Sequence, residues 1–418
     1  MFASSRHLHL ELLCTRRTPV KKDLCYLPAF PIVVSFLDYY FLGRDQDNLF
    51  AALEHRDRVQ GIEVNVPCSL LEELSTVMQE PFPALRRLRF ESEQFVTMPA
   101  LPDTFLGGSA PCLQTIYIDG IPFPAAPTLL LSAHDLVNVH LSDIPPTGYI
   151  PPEAMVASLA ALPRLKYLTF GFESGMSYPD RMRMPPISRT VLPALTSFSF
   201  EGLFKYSEDL VVQIDTPQLD CLGIGYLYQD EVTDFQIPEL CKFIDRSEKL
   251  KLSPFRRADL CIRSNKVVIE PVHRDRGQSS FRLLIQEDAI GQVVSQISAR
   301  LSNVDRLSIR SHFSMLGPDD DEPGDGIQWP ELFRPFTAVK ALSVDNELSW
   351  YIPSALDDVT GERAAEVLPA LELLCLEDEP VTSVEEFVTA RQNMGRPVSV
   401  VNKEREFQER LKTLDVSE

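Results

Sequence analysis

The sequence predicts a mixed α/β fold built from one repeated unit, a strand followed by a helix or a turn. The first observation is a short motif that recurs far along the chain, as in FPALRRLRFESE from residue 82, LPRLKYLTFGFE from 162, LPALTSFSFEGL from 192 and LPALELLCLEDE from 368. The second is a proline two positions before the first aliphatic residue of most copies. The third is a set of segments with helical apolar spacing between the copies. Strands that alternate with helices favour a parallel sheet.

The repeated motif reads Leu-x-x-Leu-x-Phe, with other aliphatic residues also found at these positions. Because side chains alternate along a strand, its fourth and sixth positions share one face, and the residues between them point the other way. Copies begin at residues 59, 85, 113, 136, 165, 195 and 219 and, after a gap, at 304, 339 and 371. The steps from 59 to 219 are 26, 28, 23, 29, 30 and 24 residues. They cluster around the period of about 20–29 residues of leucine-rich repeats, and Val59 is expected to open the series.

The prolines predict where a preceding helix or turn ends, because proline cannot continue a helix and disfavours helical backbone in the residue before it. Helices are expected over 69–80, with Ser69 as the N-cap, and over 151–162, 237–250 and 288–301. The Pro-rich connection 121–134 is expected to be non-helical. A single strand-and-helix unit cannot bury its apolar face, whereas stacked units can. The sequence therefore predicts a leucine-rich-repeat solenoid, with a curved parallel sheet inside and helices and turns outside. A single unrepeated α/β sheet is the alternative.

The spacing of the motif copies divides the chain into regions. We expect an N-terminal cap over 1–43, leucine-rich repeats over 44–253, a hairpin-like elaboration over 254–286, further repeats with an acidic loop at 317–328 over 287–380, and a C-terminal helix with a polar tail over 381–418. The hairpin is predicted from KVVIEPVHRDRGQSSFRLLIQ, which reads as two alternating strands around a polar turn. The apolar run 26–43 carries Asp38 and two prolines and falls short of about 20 residues, so it predicts a buried strand and loop.

Composition limits the classes of function. The 418 residues are 44% hydrophobic, which is enough for a large core. With 40 Lys and Arg against 60 Asp and Glu, the formal net charge is −20, and nucleic acid is an unfavourable partner for the chain as a whole. The eight cysteines are scattered with no CxxC pair, which argues against a zinc site and indicates reduced thiols in the cytoplasm or the nucleus. No membrane association is predicted.

Motifs for catalysis or cofactor binding are not found. The sequence contains no Gly-rich phosphate loop, and GFESG at 171–175 has its serine at the wrong position for a nucleophile elbow. His7 and His9 are too few for a metal site. Counted from Asp319 or Asp321, the twelfth residue of an EF-hand loop would be Pro330 or Leu332, where glutamate is needed. We therefore predict no catalytic residue, no cofactor and no metal, and a protein that is not an enzyme.

What the sequence does predict is a binding surface. On the expected concave side of the sheet, the N-terminal strands present large polar and aromatic side chains, namely Arg87, Arg89, Tyr117, His140 and Tyr167. Arg and Tyr are enriched among the residues that contribute most to protein–protein affinity. These five residues are predicted to bind a protein partner. The alternative is that they are ordinary solvated strand residues.

The chain also resembles a known family. The stretches LPDTFLGGSAPCLQTIYIDGIPFPAAPTLLLSAHDLVNVHLSDIP, GYIPPEAMVASLAALPRLKYLTFGFES, VLPALTSFSFEG and YSEDLVVQIDTPQLDCLGI are similar to the F-box-associated leucine-rich repeat proteins of mushroom-forming fungi. The resemblance implies a leucine-rich solenoid and, in members with an F-box, a substrate receptor of a cullin-RING ubiquitin ligase. In those members the F-box precedes the segment that corresponds to SSRHLHLELLCTRR, which begins at Ser4 of this chain, so the ligase adaptor is an expected partner only where an F-box lies upstream. An enzyme with an unrecognised site, or a non-functional remnant of an expanded family, remains an alternative.

Overall fold

A computed structural model of the chain describes most of its residues and is divided into two compact units, Met1–Leu219 and Asp220–Glu418. The described residues are 9–26, 29–37, 45–65, 67–92, 100–124, 127–173, 188–226, 235–252, 256–263, 266–271, 280–286, 289–311, 327–345, 348–349, 352, 356, 366–377 and 384–415. Residues 317–326 of the predicted acidic loop and His7 lie outside this set. Within it, no helix has the length and apolar character needed to span a membrane.

The first unit contains a parallel sheet in which the strands follow one another in chain order. These strands are β1 (Leu10–Leu13), β2 (Ile32–Phe36), β3 (Val59–Asn65), β4 (Arg87–Glu91), β5 (Thr115–Asp119), β6 (Asn138–Ile144), β7 (Tyr167–Phe172) and β9 (Ser197–Gly202). All of their pairings are parallel. The short strands β8 (Thr190–Val191) and β10 (Ile214–Asp215) form a separate parallel pair. The predicted mixed α/β class with parallel strands is thereby confirmed.

The register of the sheet follows the repeated motif. Its fourth positions are direct partners on neighbouring strands, in the order Ile62, Leu88, Ile116, Val139, Leu168 and Phe198. Its sixth positions form a second such row, Val64, Phe90, Ile118, Leu141, Phe170 and Phe200. Both rows are buried. The apolar period therefore sets the strand register, because a shift by one residue would move every one of these side chains to the other face.

Helices connect the strands of the first unit and pack against one another in chain order. They are α1 (Val20–Tyr26), α2 (Gln46–Leu53), α3 (Cys68–Val77), α4 (Thr128–Ser132), α5 (Pro152–Ala160) and α6 (Phe204–Val211). Helix α1 contacts α2, α2 contacts α3, α4 contacts α5, and α5 contacts α6. A short 3₁₀ turn, Pro146–Gly148, precedes α5, and a tight turn over Phe105–Gly108, in which Leu106 and Gly107 have positive φ, precedes β5.

Two local predictions are wrong. Ser69 is not the N-cap of α3, because the helix begins at Cys68 and Ser69 is its second residue. Pro67, with extended backbone, stands at the N-cap position and provides no side-chain cap. The connection 121–134 contains helix α4 despite its prolines. The prolines precede the helix, with Pro127 directly before its first residue, where a missing N–H costs no helical hydrogen bond.

Each motif proline occupies the same place in a tight turn. In the turn Phe82–Leu85, the amide of Leu85 donates to the carbonyl of Phe82 at 3.1 Å, and Pro83 is the second residue. The same bond, at 3.0–3.4 Å, closes the turns whose second residues are Pro111, Pro163, Pro193, Pro217 and Pro369. Proline suits this position because its fixed φ matches the second residue of a type I or II turn. The proline offset seen in the sequence therefore marks the turn that leads into each strand.

Strands β1 and β2 extend the sheet ahead of Val59, the residue expected to open the series of motif copies. Leu12 and Val34 are direct partners across this pair, and both are buried. Strand β2 lies in the apolar run 26–43, which was expected to contain a buried strand, and all five of its residues are buried. The described part of the segment 1–43 thus belongs to the parallel sheet of the first unit.

The second unit has a mixed sheet with a three-stranded antiparallel insertion. Its strands lie in the order β11 (Cys221–Tyr226), β14 (Ser280–Gln286), β13 (Lys266–Pro271), β12 (Arg257–Arg263), β15 (Arg306–Ser311), β16 (Ala341–Val344), β17 (Leu373–Leu376) and β18 (Ser399–Val401). Strand β13 is antiparallel to both β12 and β14, and the other pairings of the second unit are parallel. The insertion falls within the region predicted as a hairpin-like elaboration.

Most helices of the second unit lie close to the expected positions, whereas those over 329–333 and 404–415 were not expected. The second-unit helices are α7 (Pro238–Arg246), α8 (Glu248–Leu252), α9 (Ile290–Gln296), α10 (Ser298–Leu301), α11 (Trp329–Phe333), α12 (Glu385–Asn393) and α13 (Glu404–Asp415). The region predicted as a polar tail contains strand β18 and helix α13. This helix carries Phe407 and Leu411 four residues apart, and both are buried.

Candidate functional site

The side of the first-unit sheet opposite its buried motif positions is called here the open face. Three rows of register partners run across it. The first row is Arg87, Thr115, Asn138, Tyr167 and Ser197, the central row is Glu63, Arg89, Tyr117, His140, Thr169 and Ser199, and the third row is Asn65, Glu91, Asp119 and Ser142. These side chains are exposed or half-buried. The strand alternation that buries Leu88 and Ile116 thus places polar and aromatic groups on the opposite face.

The central row contains a stack of three side chains. The guanidinium carbon of Arg89 lies 4.8 Å from the centre of the Tyr117 ring. The rings of Tyr117 and His140 are 4.0 Å apart between their centres and only 4° from parallel. Neighbouring strands are about 4.8 Å apart, so register partners on β4, β5 and β6 meet at stacking distance. We call these three residues the Arg–Tyr–His ladder.

Hydrogen bonds from the third row hold both ends of the ladder. Arg89 donates from Nε to Glu91 Oε1 at 2.6 Å. Ser142 Oγ donates to Asp119 Oδ1 at 2.5 Å and lies 2.8 Å from His140 Nε2. Because the single hydroxyl proton of Ser142 is directed at Asp119, Nε2 of His140 is the donor in the remaining bond. This fixes the His140 tautomer with its proton on Nε2.

The electrostatics of the ladder differ from one member to the next. The hydrogen bond to Glu91 raises the pKa of Arg89, which stays a cation. Burial, with Asp119 and Glu91 nearby, raises the pKa of Tyr117. Burial is also the main reason that the pKa of His140 is lowered, and Arg89 lowers it further against the opposing effect of Asp119 and Glu91. At neutral pH the ladder therefore combines one cation with two neutral rings.

The lowered pKa of His140 predicts a pH dependence of stability. The unfolded chain has an ordinary histidine there, so it binds the proton before the folded chain does as the pH falls. The contribution of His140 to stability is therefore complete above the ordinary histidine pKa of about 6.5 and decreases as the pH falls below it towards the pKa of the folded chain.

The measurement is the titration of the His140 ring by NMR, together with the free energy of unfolding of the first unit between pH 8 and 5. A His140→Phe variant assigns the signal and keeps a ring in the stack without a titratable group. We expect the wild type to lose more stability than the variant over this range. A His140 midpoint at or above that of free histidine would contradict the prediction.

The structure brings three of the five predicted residues together. Arg89, Tyr117 and His140 form the ladder, whereas Arg87 and Tyr167 lie in the first row, on β4 and β7, with two strands between them. Arg87 is exposed, and Tyr167 is 50% exposed. The roles of Glu91, Asp119 and Ser142 as hydrogen-bond partners were not predicted. Their position two residues after each ladder residue, on the same face, was the available signal.

The described residues offer no comparable site for a metal. Among them, no group of three or more His, Cys, Asp or Glu is arranged to hold a metal ion. Burial, followed by the nearby Asp45, raises the pKa of Cys14 to about 12, so this thiol stays protonated. The sequence matches no protein-family model, and no curated protein is significantly similar to it.

Proposed function

We propose that the chain is a leucine-rich-repeat protein that serves as a non-enzymatic scaffold for protein–protein interaction. The repeat is supported by a backbone bond that recurs where strands begin. Two successive amides, Gln114 with Thr115, donate to the carbonyl of Arg86, and Val137 with Asn138 donate to that of Gln114. In the second unit, Lys340 with Ala341 donate in the same way to Asp305. One backbone arrangement repeated in both units is typical of stacked repeats.

The observation that carries the proposed function is the Arg–Tyr–His ladder on the open face. Arg and Tyr contribute strongly to protein interfaces because each combines a large apolar surface with hydrogen-bonding groups. The stack and the bonds to Glu91 and Ser142 already fix these side chains. Because these side chains are already fixed, binding a partner costs less side-chain entropy here than it would at a surface of mobile side chains. Arg87 and Tyr167 extend the proposed surface along the first row.

The resemblance to F-box-associated leucine-rich repeat proteins suggests that the partner is a substrate of a ubiquitin ligase. We propose that the open face selects a substrate for a ubiquitin ligase, with adaptor binding supplied by an F-box where one is encoded upstream. An adaptor that copurifies with the longest encoded chain would support this part of the proposal. If no adaptor copurifies with that chain, the ligase proposal fails and only the proposed interaction scaffold remains.

The interaction is tested by removing the centre of the proposed surface. A triple variant, Arg87→Ala, Arg89→Ala and Tyr117→Ala, is compared with the wild type in affinity purification followed by mass spectrometry. We expect a specific partner to be lost, with its affinity reduced by more than about tenfold, since each hot-spot truncation costs about 2 kcal/mol or more.

A matched control removes the same residue types elsewhere. Arg17, Arg164 and Tyr26 are exposed residues away from the open face, and their alanine variants should retain the partner. Equal recovery of the same proteins by both triple variants and the wild type would defeat the proposed surface.

A further inference from the structure

A cleft of about 430 Å³ lies on the second-unit sheet. Residues of β12, β15 and β16 line it from the sheet, and Phe407, Gln408 and Leu411 line it from helix α13. Because Leu307 and Ile309 of β15 are buried in the core, the side chains that alternate with them face the cleft. A cleft of this size is typical of sites for small organic molecules, which occupy about 300–1,000 Å³.

Two arginines lie side by side at the end of the cleft where the strands begin. Arg257 and Arg306 are the first residues of β12 and β15, and they are direct register partners. Both are half-buried, and both line the cleft. Partners on neighbouring strands are about 5 Å apart, at which distance two cations repel each other, and a bound anion removes that repulsion. The pair is therefore a local basic site in a chain whose formal net charge is −20.

The acidic side chains of the cleft lie farther along the strands than the arginine pair. Asp259 forms an ion pair with Arg310, which balances its charge. Asp345 and Glu377 directly follow β16 and β17, at the carboxyl ends of these strands. Asp345 also accepts a hydrogen bond from the amide of Ser311 at 2.5 Å. The cleft is thus basic at one end and acidic at the other, which favours a ligand with one negative charge over a phosphate dianion.

Apolar groups lie directly beside the arginine pair. Ala341 is the register partner of Arg306 on β16, and it forms one buried cluster with Phe407 and Leu411. All three apolar residues also line the cleft. A ligand with an anionic group at the arginines can therefore place an apolar body against this cluster, with α13 in its present position.

We propose that this cleft binds a small organic molecule with one carboxylate and an apolar body. The carboxylate binds Arg257 and Arg306, whose planar guanidinium groups match its two oxygens. A guanidinium has five N–H donors, so each arginine can bind the ligand in addition to its contacts within the chain. Ser308, two residues after Arg306 on the same face, adds a hydroxyl to the floor of the cleft. The proposal does not depend on the Arg–Tyr–His ladder, which lies in the first unit.

The ligand class is tested by isothermal titration calorimetry of the full chain with hydrocinnamate and with octanoate, two monocarboxylates with an apolar body. We expect at least one of them to bind with a Kd of about 1 mM or lower. Its neutral amide, acetate and phenyl phosphate should each bind at least about tenfold more weakly, since each lacks the single charge or the apolar body. No binding of either carboxylate, or equal binding of the amide or the phosphate, would overturn the proposal.

The location of the site is tested by a double variant, Arg257→Gln and Arg306→Gln, which should bind the carboxylate at least about tenfold more weakly. The matched control is Arg282→Gln with Arg334→Gln, because both of these arginines are exposed and lie outside the cleft. The control should keep the affinity of the wild type. Unchanged affinity in the first variant, or an equal loss in both variants, would overturn the proposed site.

Two further measurements decide the outcome if the double variant does not fold. In the wild type, the bound carboxylate should slow hydrogen exchange in peptides from β12 and β15 but not in those from β4, β5 and β6. Ser308→Leu fills the floor of the cleft and keeps both arginines, so it should also lower the affinity at least about tenfold. Slowed exchange confined to the first unit, or full affinity in Ser308→Leu, would overturn the proposed site.

Discussion

Replacement of Tyr206 by alanine is expected to lower the free energy of unfolding of the first unit by about 4 kcal/mol. Tyr206 is fully buried on α6. Its ring is stacked on Phe200 at 5.5 Å and lies 4.9 Å from the ring of Phe172. Its hydroxyl donates to the carbonyl of Ile150 at 2.9 Å. The substitution therefore removes a large buried ring and leaves both a cavity and a carbonyl without this donor.

The conservative variant separates these contributions. Tyr206→Phe keeps the ring and removes only the hydroxyl, so it should cost about 1 kcal/mol. The measurement is urea-induced unfolding of the first unit, followed by hydrogen exchange in peptides from β7 and β9. Tyr167→Ala is the control, since this half-exposed tyrosine should cost less than about 1 kcal/mol. A loss for Tyr206→Ala no larger than that of Tyr167→Ala would show that the aromatic cluster is not essential to the core.

Replacement of Arg391 by alanine should destabilise the second unit by about 3 kcal/mol. Arg391 is 0% exposed on α12, although it carries a charge. Its guanidinium donates to the carbonyls of Pro369 and Leu371, at 3.2 and 3.1 Å, in the turn that leads into β17. Burial, with Arg396 nearby, lowers the pKa of Arg391. The variant would leave the turn without these donors at a buried position.

Arg391→Met and Arg410→Ala are the matched controls. Methionine restores most of the volume without the donors, so a loss intermediate between wild type and alanine is expected. Arg410 is exposed and pairs with Glu406, four residues before it on α13, and its loss should cost about 0.3–0.5 kcal/mol. The measurement is the urea midpoint of the second unit, followed by hydrogen exchange in peptides from β17. A methionine variant as stable as the wild type would show that the hydrogen bonds to the turn contribute nothing.

The strand register could be predicted from the sequence because the burial pattern alone determines it. Leu88, Ile116 and Val139 recur at one position of the repeated motif, and each must face the core. Helix α13 could not be predicted in the same way, because its sequence, EREFQERLKTLD, has only three apolar residues among many charged ones. The sequence LLCL at 373–376 did carry a signal, since an unbroken apolar run is typical of a strand buried on both faces.

The candidate site could be predicted only in part. Alternation along β4, β5 and β6 placed Arg89, Tyr117 and His140 in one row, which needs no knowledge of side-chain conformation. Their stacking depends on rotamers and on the hydrogen bonds from Glu91 and Ser142, and these come from tertiary packing. Arg391 shows the same limit, because an arginine in a polar-looking helix gives no sign that it is buried.

The antiparallel insertion of the second unit affects how the chain can reach its fold. In the first unit nearly every strand pairs with the strand before it, so the sheet can grow through local contacts. In the second unit β11 pairs with β14, and β12 pairs with β15, so two long segments must close before those contacts form. Closing longer loops costs more chain entropy and slows assembly. Newly synthesised chains should therefore acquire the second unit more slowly, and during that delay its strand edges are the ones open to aggregation.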